Sequence, residues 1–348
     1  MELGIYTFVE NTVVPEAGRL SPTERLENLI EEAELADRLG LDVFAIGEHH
    51  REEYVASAPP VILSAIASRT EKIRLSSAVT VLGSEDPVRV YQQFSTLDLI
   101  SKGRAEIMVG RGSFIESFPL FGYDLKSYEE LFDEKLEMLL QIRKSDNLNW
   151  KGTHSQTVEN RGVYPRPHQD QIPVWRAVGG TPKSAYHAGA LGLPMAIAII
   201  GGYPEQFKPM ADLHQRGAAE HGHPKLPLSL NSHGFIADSA EEAIDIAFPA
   251  FKVQMDRIGR ERGWPPMSRE QFEASCTLRG ANVVGDPQQV IDKILYQHQI
   301  FGHDRFLLQM SVGSVPHEKM LRSIELFANE VAPFVRQKAK RRGQKSKK

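Results

Sequence analysis

Residues 76–122, SSAVTVLGSEDPVRVYQQFSTLDLISKGRAEIMVGRGSFIESFPLFG, decide the fold. They read as a buried strand, a helix, a second buried strand, and then an arginine between glycines, Gly110-Arg111-Gly112. Glycines there let the backbone approach a ligand closely, and the guanidinium offers a planar fork of donors that suits a phosphate. A second segment of the same kind, Gly179-Gly180-Thr181-Pro182-Lys183-Ser184, follows the next barrel-type strand. Thr181 stands as an N-cap, with Pro182 at the first helical position and Ser184 one turn in, so free amides and the helix dipole face an anion. Two such segments on consecutive strand-to-helix loops point to a phosphorylated cofactor.

Outward from that stretch, apolar runs of strand length alternate with helix-period segments along the whole chain. Strands are expected at Leu3–Phe8, Asp42–Gly47, Ile73–Leu82, Ala105–Val109, Pro173–Val178, Met195–Ile200, Leu228–Ala237 and Arg305–Met310. Ser21-Pro22-Thr23-Glu24, Ser127-Tyr128-Glu129-Glu130 and Asp286-Pro287-Gln288-Gln289 read as capping boxes that open helices. Eight strand–helix pairs in 348 residues predict a single α/β (β/α)8 TIM barrel over residues 1–335, with insertions after strands four and seven. A doubly wound open sheet would be favoured by a G-x-G-x-x-G after an early strand, and none is present.

Composition narrows the class. Hydrophobic residues make up 41% and charged residues 25%, as in ordinary globular proteins. The single cysteine, Cys276, rules out an intrachain disulfide, and no run reaches the roughly 18 apolar residues of a membrane span. The start MELGIY lacks a basic signal region, so a soluble, cytoplasmic protein is expected. Residues 336–348 carry eight Lys and Arg and no acid, although the whole chain is −4. The body is therefore acidic, which argues against nucleic-acid binding, and the tail reads as a solvated, disordered terminus.

In a barrel the active groups sit at the C-terminal ends of the strands. Glu48-His49-His50 ends the second strand. Adjacent strand residues point to opposite faces, so the two histidines do not both reach one metal, and no H-x-H or H-E-x-x-H occurs. One histidine managing a proton fits better, beside the plainer reading of a His–Glu pair anchoring the loop. Asn231 and His233 share a face near the end of the seventh strand and, with Thr7 and Glu48, are candidates for a substrate pocket. There is no G-x-S-x-G elbow, and no lysine at a confident strand end for Schiff-base chemistry.

The chain resembles the bacterial luciferase-like flavin-dependent monooxygenases. The resemblance rests on LGIYTF (3–8), AIGEHH (45–50), the block 79–112 with DLISKGR followed by a strand and GRG, VYPRPHQDQIPVWRAVGGTPKSAYHAGALGLPM (163–195), and VGDPQQV (284–290). It implies that Arg111 binds the 5′-phosphate of FMN, joined by Thr181, Ser184 and the amides around Gly180. It further implies a non-prolyl cis peptide at Ala78–Val79 beneath the flavin ring, and His49 as the active-site histidine. The luciferases carry a cysteine just before the phosphate arginine; here it is Gly110, which puts light emission in doubt. The implied reaction is oxygenation of a small organic substrate by reduced FMN and O2 through a C4a-peroxyflavin, with the flavin reduced by a separate NAD(P)H:flavin reductase. A homodimer or homotetramer built through the small-residue helices near 58–69 and 88–100 goes with the family. Two alternatives stand beside this expectation: a deazaflavin-coenzyme-dependent reductase or dehydrogenase of the same superfamily, and a non-catalytic flavin-binding protein.

Overall fold

The computed structural model describes residues 1–14 and 18–345, with side chains to 340. Eight parallel strands, β1 (Glu2–Thr7), β2 (Val43–Ile46), β3 (Arg74–Ser77), β4 (Ala105–Gly110), β5 (Val174–Val178), β6 (Met195–Ala198), β7 (Leu228–Ile236) and β8 (Arg305–Gln309), pair in that order. β8 also pairs with β1, at Glu2↔Arg305 through Tyr6↔Gln309, so the sheet closes on itself. Around it lie α1 (Pro22–Arg38), α2 (Pro59–Ala67), α3 (Pro87–Ser101), α4 (Tyr128–Lys144), α5 (Pro182–Ala190), α6 (Lys208–Glu220), α7 (Ala240–Arg262), α8 (Pro287–Phe301) and α9 (His317–Leu326). The fold is the expected (β/α)8 barrel.

Strand alternation sorts the core into two layers. Leu3, Ile5, Leu75, Ile107 and Leu308 face the helices, whereas Tyr6, Val43, Ala45, Met108, Trp175, Ala196 and Leu307 fill the barrel interior. At the bottom of the interior Arg305 holds Glu106 bidentately at 3.0 and 2.9 Å, reaches Glu2 at 2.7 Å, and lies 4.3 Å over the Trp175 ring. A buried ion pair of this kind tolerates burial because each charge is matched, and losing one partner costs about 3–5 kcal/mol.

The DLISKGR motif is a structural knot under the site. Asp98 is fully buried; one carboxylate oxygen accepts the Ala105 amide at 3.1 Å, and the other accepts the Gln169 amide at 2.9 Å. Arg104 donates to the carbonyls of Ala67, Thr70, Ile73 and Ser101. Together they fix where β4 begins, and hence where Arg111 emerges seven residues on.

The third expected strand, Ile73–Leu82, is instead two pieces, β3 and a short pairing at Thr80–Val81. The ladder runs from Ser76↔Glu106 to Thr80↔Val109, four residues against three. Glu48 takes up the displaced backbone: its carboxylate accepts the Val81 amide at 2.8 Å, and its own amide donates to Val79 O at 3.0 Å. The Ala78–Val79 peptide in the bulge is cis. The capping boxes at Ser21 and Asp286 form, but Ser127 makes no side-chain cap, because Asp124 caps a preceding 3-10 turn instead.

Between β4 and β5 the chain adds the short helix Ser117–Leu120 and an antiparallel hairpin, Asn147–Trp150 with Val158–Gly162. Between β7 and β8 it adds the helix Arg269–Cys276 and a strand, Val283–Gly285, that pairs with the top of β7. A last helix, Ala332–Lys345, runs through most of the basic segment, whose final three residues lie outside the described ones. No helix among the described residues is long and apolar enough to cross a membrane.

Candidate active site

The C-terminal ends of β1 to β7 surround a cavity of about 380 Å3 lined by residues of seven strand ends, Arg111, His49 and Asn231 among them. Its two ends differ in chemistry. At one end the Arg111 guanidinium donates to Thr181 Oγ1 at 3.0 Å and pairs with Glu129 at 3.1 Å. The Tyr128 hydroxyl donates to the Arg111 carbonyl at 2.8 Å and so fixes the turn. Thr181 occupies the N-cap of α5 without capping it with its side chain, because its hydroxyl is turned to Arg111. Pro182 has no N–H and the Ser184 amide donates to Thr181 O at 3.0 Å, so the donor that the missing cap leaves is the Lys183 amide, and Ser184 lies beside it at the cavity wall. Gly180 has φ +128°, and a Cβ on Gly179 or Gly180 would meet nothing within 4 Å, so a ligand can come up against that backbone. Donors of this kind at a helix start can serve an anion.

A second guanidinium, Arg176, sits behind the first and is buried to 3% exposure. It bonds His187 Nδ1 at 2.9 Å and Asp133 at 3.2 Å and lies 5.0 Å over the Phe132 ring. Burial, with help from nearby Arg111, pulls its pKa below the usual arginine range, while Asp133 opposes that. Asp133 in turn is held below the usual carboxylate range, chiefly by its hydrogen bond to His187. Sequence reasoning included Arg176 in the expected strand Pro173–Val178 and gave it no role. The signal available was strand alternation, which puts it on the face opposite Trp175, toward the helices.

At the other end His49 is buried, and its Nε2 has no hydrogen-bond partner. Its ring lies edge-on to Phe8 at 4.4 Å and packs against Tyr54 at 4.3 Å and Phe114 at 5.3 Å. Burial, then the neighbouring His50 and Arg51 charges, pushes its pKa down to about 3, so the imidazole is neutral at physiological pH. His50 points the other way and pairs with Glu48 at 2.8 Å, so the loop-anchoring pair is His50–Glu48 and His49 is left to the cavity. Ala78, Val79, Met108, Ala177 and Ala196 pack together and give the cavity an apolar lining. Gly110 completes it: a Cβ there would stand 2.9 Å from the Val79 side chain, so any larger residue forces Val79 to move.

The barrel thus brings His49, Glu48, Ala78, Val79, Gly110, Arg111, Thr181, Ser184 and Asn231 to one cavity. Gly180 lies in the backbone turn beside it. Thr7 does not line it: its hydroxyl bonds Glu10 at 3.3 Å and accepts the Val9 amide at 2.9 Å. His233 does not line it either, lying 5.9 Å from the Phe251 ring with its pKa pushed down to about 4 by burial. Residues missed by sequence reasoning include Tyr54, Phe114, Tyr128 and Arg176, along with the buried Glu10, whose pKa burial lifts to about 7. Among the described residues no group of three or more His, Cys, Asp or Glu is placed to hold a metal ion.

Comparison with known proteins places this geometry. The model of the family described as luciferase-like monooxygenase matches residues 1–304. The oxygenase component of a flavin-dependent trigonelline monooxygenase from Acinetobacter baylyi is 25% identical over 345 residues, covering 91% of this chain and 92% of its own. An F420-dependent glucose-6-phosphate dehydrogenase from Amycolatopsis mediterranei is 31% identical over 174 residues, 47% of this chain and 51% of its own. Among solved structures, the monooxygenase RslO1 from Streptomyces bottropensis superposes with a TM-score of 0.83 at 25% identity, covering 96% of this chain and 99% of that one.

Proposed function

We propose that this chain, which belongs to the luciferase-like monooxygenase family, is an FMN-dependent oxygenase component that oxygenates a small organic substrate. Reduced FMN, delivered by a separate NAD(P)H:flavin reductase, supplies the electrons and the activation of O2 when bound. The single observation that carries the reading is one cavity with an anion-ready helix end beside Arg111 and a neutral, unpartnered His49 at the far side.

The residues fit that cofactor. Arg111, Thr181, Ser184 and the Lys183 amide at the start of α5 hold the phosphate, and Arg176 adds positive potential from behind. The bulge at Ala78–Val79 and the missing side chain at Gly110 leave an apolar face for the ring. His49, neutral at Nε2, accepts or returns the proton that the reaction moves there. Phe8, Tyr54 and Phe114 around it keep water from that proton. The volume lies in the usual range for small-molecule sites, roughly 300–1,000 Å3.

The deazaflavin coenzyme is the rival, favoured by the F420-dependent relative. Its phosphate continues into an anionic tail, and Glu129 and Asp133 flank the place where that tail would leave. The test is an anaerobic fluorescence titration of the flavin-free protein with reduced FMN and, in parallel, with the reduced deazaflavin coenzyme. Micromolar or tighter binding of FMN with none of the deazaflavin is expected; the reverse preference overturns the assignment.

A further inference from the structure

Three segments far apart in sequence meet above His49, and one side chain ties them. Arg51, whose side chain is 7% exposed, donates from Nε to Glu53 at 2.8 Å. Its Nη1 reaches Glu116 at 2.7 Å and Glu261 at 2.9 Å, and its Nη2 also bonds Glu261. The guanidinium thereby joins the loop after β2, the loop after β4 and the C-terminal end of α7. The same three segments are stitched twice more: Arg262 donates to Ser113 O at 3.0 Å, and Gln254 donates to the Tyr54 hydroxyl at 2.7 Å.

Phe114 lies within this knot. Arg51 sits 4.5 Å and Arg262 5.7 Å from its ring centroid, on a residue whose ring is itself 5.3 Å from His49 and 6.0 Å from Tyr54. Further along the loop Phe118 is buried against Val81 and Leu131, and the Ser84 hydroxyl donates to Ser117 at 2.7 Å, so the loop is anchored there, while its first part, with exposed Ile115, is held down by this cluster.

We propose that Arg51 is a positioning residue: it clamps residues 113–116 against the end of α7 and so keeps Phe114 as a cover over His49, closing the reaction end of the cavity from water. The inference rests on the proposed reading only for the name of the reaction; the clamp itself is a property of the flavin-free chain. Arg51 touches no group at the Arg111 end, so the clamp and the anion site are separable.

The experiment uses flavin-free full-length protein. Hydrogen–deuterium exchange of a peptide covering 112–122 is compared between wild type, Arg51→Met and Phe114→Ala, with His49 followed in parallel by NMR titration. Arg51→Met is expected to speed exchange in 112–122 at least tenfold while peptides of β5 and β6 stay unchanged. His49 is expected to titrate at higher pH in Phe114→Ala, which keeps the Arg51 charge and removes only the cover; Arg51→Met also removes a charge that depresses His49, so that variant is read by exchange. Unchanged exchange in 112–122 with Arg51→Met, or an unmoved His49 titration in Phe114→Ala, overturns the proposal. A titration of the same proteins with reduced FMN separates the two readings: if none binds flavin but 112–122 opens as expected, the cofactor assignment fails and the clamp stands.

Discussion

The two ends of the cavity are made from the same barrel by opposite means. The Arg111 end is wet and charged: its guanidinium is one-quarter exposed, carboxylates stand beside it, and its donors come from a helix start that no side chain caps. The His49 end is dry and neutral: an imidazole among three aromatic rings, with a ring nitrogen left unpartnered. Attraction for a ligand is concentrated at the first end, where ions and dipoles act on a charge that is always present. Control of a proton is concentrated at the second, where burial sets which form of the histidine exists.

That contrast is sharpest at His49. His49→Asn is expected to lower oxygenation turnover by about 100-fold or more while flavin affinity changes by less than about threefold. Turnover and the flavin titration on the same preparation check it; a matching loss of both would erase the distinction between the ends. Arg111→Ala is expected to do the converse, weakening reduced FMN binding by roughly 10- to 100-fold with turnover at saturating flavin largely kept.

A third outcome concerns pH. His49 and His233 have folded pKa values near 3 and 4, below the ordinary 6.5, so their contribution to stability is full above about pH 6.5 and is lost as the pH falls. Glu10 and Glu85 have folded values near 7, above the ordinary 4.5, so their contribution is full below about pH 4.5 and is lost as the pH rises through 7. Between pH 4.5 and 6.5 the two effects offset. Below 4.5 the unfolded counterparts of Glu10 and Glu85 are protonated as well, while the histidine loss continues and carboxylates held low in the fold, such as Asp37 and Asp133, lose their contribution too, so stability falls. Denaturant melts from pH 6.5 to 3.5 check this, and the double variant His49→Asn with His233→Asn is expected to shift the acid limb to lower pH. The smallest effect is at Ser184: Ser184→Ala is expected to weaken flavin binding by about two- to tenfold, the share of one neutral hydrogen bond.

Much of the Arg111 end was legible in the sequence because its chemistry is local. Gly110-Arg111-Gly112 and Gly179-Gly180-Thr181-Pro182 are each written within a few residues, and the succession of β4 and β5 carries the two to one side. The cover over His49 was not legible, because Arg51, Phe114 and Glu261 are joined only by the closure of the barrel. Arg176 was hidden by its apolar neighbours Val174 and Trp175, since a buried guanidinium paired with Asp133 needs its partner from another helix to make sense. The third strand read as continuous because Ala78 and Val79 are as apolar as their flanks. What breaks the ladder there is Glu48, which takes the Val81 amide from 33 residues away.

The end of the cavity formed by Arg111 and the start of α5 is the proposed phosphate site. It is tested most directly by titrating wild type and Arg111→Ala anaerobically with reduced FMN and with reduced riboflavin, which share a ring and differ in the phosphate. Wild type is expected to prefer FMN by about 100-fold, and the variant to lose most of that preference by losing FMN affinity alone. Equal affinity of wild type for the two flavins, or equal weakening of both by the substitution, would contradict it.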